Sequence, residues 1–276
     1  MFDVAQISAQ LEALAEAEVA RRQGRHLRPL RGLRGVPTAE IARVLVEAWS
    51  AGPFDLAEAE GPLRRLFSTA FEDGLVALGL AAAALPDAPE AALELSRSWG
   101  EVVDDIQTAD ALGWLLVGPG LLATLGDEAG ERLAGLRKAE PMRRRVAVSA
   151  CLAALPLPVE GPSAAALRAR LGVKHVVFVE APLVSVLDPV IRAFHRDEDA
   201  RVRKVASRAL RTWAVEQPND AEDFVDSIRG GISKQLRAEL DLGLKRGRRR
   251  AARQMDDVDD LDGLDDLGEG EGEGEE

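Results

Sequence analysis

Most of the side chains in this sequence that could do chemistry are arginines. The segment Arg21-Arg-Gln-Gly-Arg-His-Leu-Arg-Pro-Leu-Arg-Gly-Leu-Arg34 holds six Arg and one His without an acid. Arginine forks make bidentate contacts to phosphate and displace its counterions, so this segment reads as a phosphate-contacting edge ending in Arg28, Arg31 and Arg34. Arg143, Arg144 and Arg145 form a second group, and Arg203, Lys204, Arg208 and Arg211 a third. The chain has 30 Arg against 5 Lys, a bias that explains the choice of arginine but not its clustering. Acid–base and nucleophile signals are weaker. Asp104, Asp105 and Asp110 are available carboxylates, although a solvated helix face accounts for them. Cys151 lies in an Ala/Leu stretch with no His motif and reads as packing. His26, His175 and His195 share no ligand spacing with one another or with Cys151, so no metal is expected. Asp260, Asp262, Gly263 and Glu269 fit four places of an EF-hand loop, but Val258 takes its first ligand place. No Gly-rich phosphate loop follows a strand, and no cofactor is expected.

These groups need a scaffold, and the spacing across Asp197–Trp213 describes one. An acidic start leads into a Val-Arg pair, and then Ala and Leu recur every three or four residues. Small Ala residues on the buried stripe let a neighbouring helix approach, while the Arg residues stay outside. That is the inner helix of a HEAT-like unit, which cannot bury its apolar face without stacking on the next. Met142–Leu155 echoes it. Aligning Arg144-Arg145-Val146-Ala147 on Arg203-Lys204-Val205-Ala206 gives an offset of 59 residues, longer than the about 40–47 of a simple unit, so the repeats are irregular. The predicted fold is all-α: a HEAT-like helical-repeat solenoid over residues 1–250, gathering its Arg on a concave face, with a disordered acidic tail over 251–276.

Composition agrees. Hydrophobic residues make up 46% and lean on Ala and Leu, while aromatics are 4% with no Tyr, which favours helices over sheets. A single cysteine excludes an internal disulfide framework and fits a reducing cytoplasm, the expected location. No basic-then-apolar leader opens the chain, and the longest apolar stretches, 75–85 and 112–125, fall short of the ~20 residues of a spanning helix, so no membrane association is expected. The spacing predicts a first amphipathic helix from Val4, and one N-capped by Thr38 and stopped by Gly52-Pro53. Further helices are predicted over about 55–70, 71–85, 89–97, 99–115, 127–138, 141–155, 162–171, 183–196, 198–217 and 219–229, with Lys174–Val179 a helix or connector despite its β-branching. Trp49, Trp99, Trp114 and Trp213 sit at apolar helical positions, with Trp114 the candidate for groove exposure. The net charge of −12 belongs to residues 256–276, which hold twelve acids and no base; the remainder is neutral. That tail abuts Lys245–Arg253, six basic residues in nine. It is read either as folding over a basic surface and competing with nucleic acid, or as a solubilising segment paired with its own basic run.

Several segments, in order, resemble the HEAT-like-repeat DNA alkylation repair proteins, the alkylpurine DNA glycosylase family. Arg34-Gly-Val-Pro-Thr-Ala-Glu-Ile41 is similar to that family's early Gly-Val-x-x-Pro turn into a helix. Trp99–Gly113 is similar to its central Trp-x-x-x-Ile-x-x-Trp-Asp-x-x-Asp block. Arg143–Ala147 matches the following Arg-Arg-x-Ala step, and Val202–Pro218 resembles the late Lys-Ala-x-x-Trp-x-Leu-Arg…Pro block. The resemblance implies a curved α-solenoid with a basic concave groove for duplex DNA. It further implies excision of N3- or N7-alkylated purines by an Asp and two Trp, which stabilise an oxocarbenium-like transition state. Carried over position by position, Asp110 keeps the first acid, but Gly113 stands at the catalytic Asp, Ala109 at the first Trp and Arg208 at the second. The chain therefore reads as a member without the catalytic residues, holding duplex DNA on Arg28, Arg31, Arg34, Arg143, Arg144, Arg145, Arg203, Lys204, Arg208 and Arg211. Two alternatives stay open: an active glycosylase using a displaced carboxylate, with Asp110 the weak candidate, and a scaffold binding a protein partner on its concave face. The charge of that face discriminates between nucleic acid and protein.

Overall fold

A computed structural model describes residues 2–27, 29–52, 54–155, 183–228 and 231–262, with side chains as far as Ala252. The helix predicted over 162–171, the segment Lys174–Val179, His175 and Arg28 lie outside the described residues. Those residues form α1 (Val4–Ala13), α2 (Ala17–Gln23), α3 (Thr38–Ser50), α4 (Leu56–Thr69), α5 (Phe71–Ala84), α6 (Pro89–Val102), α7 (Ile106–Leu112), α8 (Gly118–Leu125), α9 (Ala129–Ala134), α10 (Pro141–Cys151), α11 (Leu183–Phe194), α12 (Ala200–Glu216), α13 (Pro218–Ser227) and α14 (Lys234–Asp262). Among the described residues there is no strand, and the protein is all-α. Helix pairs stack on their neighbours along the chain, α4 on α5, α10 on α7 and α12, and α12 on α11 and α14, an arrangement compatible with a solenoid.

Local chemistry sets the ends. Asp3, Asp55, Asp105 and Asp199 each cap a helix by accepting N–H donors of its first turn, with Asp105 Oδ1 2.8 Å from Thr108 N and Asp199 Oδ1 2.7 Å from Arg201 N. Pro89, Pro141 and Pro218 occupy first turns, where a missing N–H costs nothing. Thr38 is the first helical residue of α3 instead of its cap; Pro37 precedes it, and no side chain caps that end.

The apolar core falls into two clusters. One runs from Phe2 through Leu63, Phe67, Leu80 and Trp99 to Val146; the other runs from Leu122 through Cys151, Phe194 and Trp213 to Leu244. Val117 packs against both. Between the clusters lies a π-helical stretch, Gly113–Val117, joining α7 to α8. Gly118-Pro119-Gly120 does not interrupt the helix, because Pro119 sits in the first turn of α8. The helical run Ile106–Lys138 is therefore long and apolar enough, by length and composition, to cross a membrane, yet half of its most apolar window is buried inside the protein. It packs on α6, α10 and α11 as a core element.

At the other end, α14 continues past the expected boundary at 250 as far as Asp262, because no glycine or proline interrupts the chain between Gly247 and Gly263. Its Leu236, Leu240 and Leu244 are buried at four-residue spacing. Gly243 and Gly247 let it lie close on α12: a Cβ there would come within 2.5 Å of Arg211 O and 2.7 Å of Val215 O. Arg250 and Arg248 then pair with Glu216 of α12 (2.8 Å) and Glu222 of α13 (2.9 Å). The tail beyond Asp262 lies outside the described residues.

Candidate nucleic-acid interface

A cleft of about 710 Å³ opens between the loop after α2 and the exposed face of α12. One wall is Arg25, His26 and Leu27; the other is Arg201, Lys204, Val205, Arg208 and Arg211, with Glu239 of α14 at its end. Asp104, Asp105, Ile106 and Arg145 complete the lining. Six cationic side chains face three carboxylates, an excess of three positive charges. All three acids are engaged, Asp104 by the Leu30 N–H, and among the six cations Arg145 is itself paired with Asp110, Arg201 with Asp199 and Arg211 with Glu239. Asp105 caps α7 and accepts from Arg31, and Glu239 pairs with Arg211 at 3.3 Å.

The α12 wall is a regular ladder. Residues 201, 204, 208 and 211 fall on one face at helical spacing, and ten residues at 1.5 Å span about 15 Å. That equals the axial rise of about four base pairs at 3.4 Å. Arg201 is anchored by Asp199, whose Oδ2 lies 2.6 Å from Nη2. Hydrogen bonding from Arg201 holds the Asp199 carboxyl down to about 2, well below the usual carboxylate range. Lys204 is exposed and Arg208 partly exposed.

The predicted phosphate ligands divide sharply in this geometry. Lys204, Arg208, Arg211 and Arg145 line the cleft. Arg31 points into the protein: Nη1 donates to Phe67 O (2.7 Å), Nη2 to Thr108 Oγ1 (2.6 Å), and the guanidinium lies 4.5 Å from the Phe67 ring centre. Gly74 makes room for it, since a Cβ there would come within 2.7 Å of Arg31 Nη1. Arg34 is likewise internal. Its Nε donates to the fully buried Asp73 (2.7 Å), and it also pairs with Glu12. The buried Glu72 beside Asp73 accepts N–H groups of Arg34, Gly35 and Val36 at 3.0, 2.7 and 3.2 Å. The turn before α3 is thus tied down by two acids with no solvent contact.

Arg144 is buried, donating to Ala139 O (2.8 Å) and pairing with Asp197 (2.8 Å). Arg203 donates to the carbonyls of Asp197 (2.6 Å) and Glu198 (2.8 Å). Arg143 is partly exposed in the first turn of α10 and does not line the cleft. Five of the ten predicted ligands, Arg31, Arg34, Arg144, Arg145 and Arg203, therefore hold the scaffold together, Arg145 while also lining the cleft. Arg201 lines the cleft without having been predicted to, while Arg25 and His26 line it from within the segment read as a phosphate-contacting edge. The sequence held the signal for Arg201: helical period counted back from Arg211 and Arg208 passes through 204 and 201, not 203.

The carboxylate and tryptophan positions are equally informative. Asp110 is gripped side-on by Arg145, with Nε 2.8 Å from Oδ1 and Nη2 2.6 Å from Oδ2, and Ser149 Oγ donates to Oδ1 at 2.6 Å. Its charge is neutralised by a guanidinium that is itself only 7% exposed. Ala109 is fully buried. Gly113 has no room for any side chain: a Cβ would overlap Val146 O and stand 2.8 Å from Ser149 Cβ and 2.9 Å from Ala150 N. Trp99 stacks on Phe67 (4.4 Å between ring centres) and Trp213 packs on Phe224 (5.1 Å), both within the core. Trp114 is partly buried against the C-terminal core and does not line the cleft. Cys151 is buried, and burial pushes its thiol up, away from the thiolate a nucleophile needs. Among the described residues, no three His, Cys, Asp or Glu side chains converge as a metal-ligand set.

Stacked helices with a cleft lined by more cations than acids describe the class, an all-α protein. Comparison with known families narrows it. The family described as DNA alkylation repair enzyme matches residues 7–240, and the chain belongs to that family. No curated protein and no solved structure matches it.

Proposed function

We propose that this protein binds duplex DNA by its phosphates in the cleft between the loop after α2 and α12, as a member of its family that does not cleave the glycosidic bond. The observation that carries this reading is the excess of cationic over acidic side chains lining the cleft. The α12 ladder supplies contacts along one strand, and Arg25 faces it across the cleft. Membership of a DNA alkylation repair family supplies the nucleic acid.

Three features speak against glycosylase chemistry. The position of the catalytic Asp, Gly113, is closed by backbone. The two Trp positions are Ala109, which is buried, and Arg208, a cation. Asp110, the displaced candidate, is compensated by Arg145 and cannot stabilise a developing cation as a free carboxylate would. A cytoplasmic location fits the single buried thiol.

One observation favours a protein partner as the second reading. An open groove of about 760 Å³ on α6, α8 and α9 is lined by Leu93, Leu121 and Leu125, with Glu90, Glu94, Glu128 and Glu131 against Arg97 and Arg132. A basic amphipathic segment is the ligand such a groove would take.

The deciding experiment is binding of an abasic-site duplex across a salt series, by the full chain and by residues 1–255. With four phosphates neutralised, log Kd should change with a slope of about 3.6 per decade of salt, so affinity falls about a hundredfold between 50 and 200 mM. Salt-independent or absent binding sinks the DNA reading and leaves the partner groove.

A further inference from the structure

Among the described residues of the loop between Gly24 and Val36, the turn around Leu30 and Arg31 is held by several bonds. Gly32 N donates to Pro29 O (3.2 Å), closing a tight turn with Leu30 and Arg31 at its centre. Gly32 takes φ +88°, which a side chain would disfavour, and its carbonyl accepts Phe71 N at 3.0 Å. Leu30 N–H is held by Asp104, which lines the cleft. Arg31 is drawn inward between Phe67, Asp105 and Thr108. The neighbouring apolar residue of the same loop, Leu27, is 4% exposed, so buried space was available to the segment. Leu30 is 91% exposed, the most of any large apolar side chain among the described residues.

An exposed leucine alone needs no explanation. Here it stands at the apex of a held turn, in the loop whose Arg25, His26 and Leu27 line the cleft and with its N–H on the cleft residue Asp104. Those are the requirements of an apolar wedge. Proteins that distort duplexes hold the backbone with cations and press a Leu, Ile, Met, Phe or Pro between base steps from a rigid mount.

We propose that Leu30 is such a wedge, pressed against the base stack of a duplex whose phosphates lie in the cleft. The proposal rests on the DNA reading above and adds its source of selectivity. Unstacking costs least where the stack is already broken, so the wedge favours duplexes with an abasic site or mismatch over intact ones. The α12 ladder reads phosphates and is indifferent to this difference; Leu30 is not.

The test uses the full chain and a duplex carrying 2-aminopurine beside an abasic site, with fluorescence anisotropy reporting binding and 2-aminopurine emission reporting unstacking. The wild type is expected to raise the emission on saturating the duplex. L30A, a change at a side chain with almost no folded contacts, is expected to lose that rise and to lower the preference for the abasic over the intact duplex by about tenfold, the scale of a lost apolar contact at an interface. L30M is expected to restore both. If the wild type saturates the duplex without a rise, or L30A keeps it, the wedge is overturned and the DNA reading stands. If anisotropy shows no salt-dependent binding, the DNA reading falls and the wedge with it.

Discussion

Replacing Gly113 by alanine separates two physical effects that predict opposite signs. Gly113 has ordinary right-handed helical angles, φ −60° and ψ −54°, so no backbone strain opposes a side chain there. Helix propensity alone makes Gly→Ala stabilising by about 1 kcal/mol. Packing says the reverse. The added methyl would overlap Val146 O and press on Ser149 Cβ and Ala150 N, and two of those three obstacles are backbone of α10 that cannot rotate away. Relief requires α10 to move off the π-helical stretch, and a gap of 0.5–1 Å forfeits about a quarter to a half of each dispersion contact along the seam. Overpacking of this kind costs about 3 kcal/mol, which leaves a net loss of about 2 kcal/mol after propensity. At about 2–4 °C per kcal/mol, Tm should fall by about 4–8 °C. Gly100 is the internal control: it lies within α6, and a Cβ added there would meet nothing within 4 Å, so Gly100→Ala should stabilise by up to about 1 kcal/mol. Urea unfolding of the wild type, G113A and G100A measures both. A G113A protein as stable as G100A would refute the claim that this position is closed. G113D, which restores the family's acid, should not fold, because it adds an unpaired buried charge to the same clash.

The other expectations are quicker to state. Lys204→Ala, at an exposed rung of the α12 ladder, should weaken duplex binding without affecting Tm and reduce the salt slope by about 0.9, as measured by anisotropy at several salt concentrations. Asp199 has its pKa lowered to about 2, so its charge contributes stability that is fully present above the unfolded value near 3.8 and is lost as pH falls through about 2. Asn still caps a helix, so D199N isolates that charge; the difference in urea stability from wild type should be below about 1 kcal/mol at pH 6, because Arg201 is half exposed, and should vanish only as pH falls below about 2. Truncation after residue 255 removes twelve carboxylates beside an exposed basic helix; if the tail competes for the cleft, duplex affinity rises on truncation, and equal affinities at low salt rule competition out.

The helices were legible because their ends are written locally. Pro141, Pro218 and Asp199 start α10, α13 and α12 where the pattern places them, and the Ala/Leu stripe of α12 is the buried face observed. The cleft was legible only in part, because an arginine's destination depends on residues far along the chain. Arg31 turns inward because Gly74 vacates space for it and Asp105 and Thr108 receive it, and Arg34 because Glu72 and Asp73 wait beneath the turn. None of those partners is within 30 residues. Arg144 and Arg145, adjacent in sequence, go to different acids, Asp197 and Asp110. Clustering in sequence predicted a basic surface; only the fold decides which guanidiniums reach it.

The position where resemblance places the catalytic acid bears on the cleft in another way. With glycine at 113, α10 comes into backbone contact with the end of α7. That approach brings Arg145 to Asp110 and, through Nη1, to the carbonyl of Arg201 at 2.7 Å in the first turn of α12. One guanidinium so joins α7, α10 and α12 and fixes the start of the ladder that faces the loop after α2. The glycine at that position thereby helps hold the charged wall in place. G113A should accordingly cost duplex affinity as well as stability, and the two losses should be separable: at a temperature where G113A remains folded, its salt slope should fall with its affinity, because the rungs of the ladder have moved off the strand. Reduced affinity with an unchanged slope would instead mean that the ladder is intact and that Gly113 matters to folding alone.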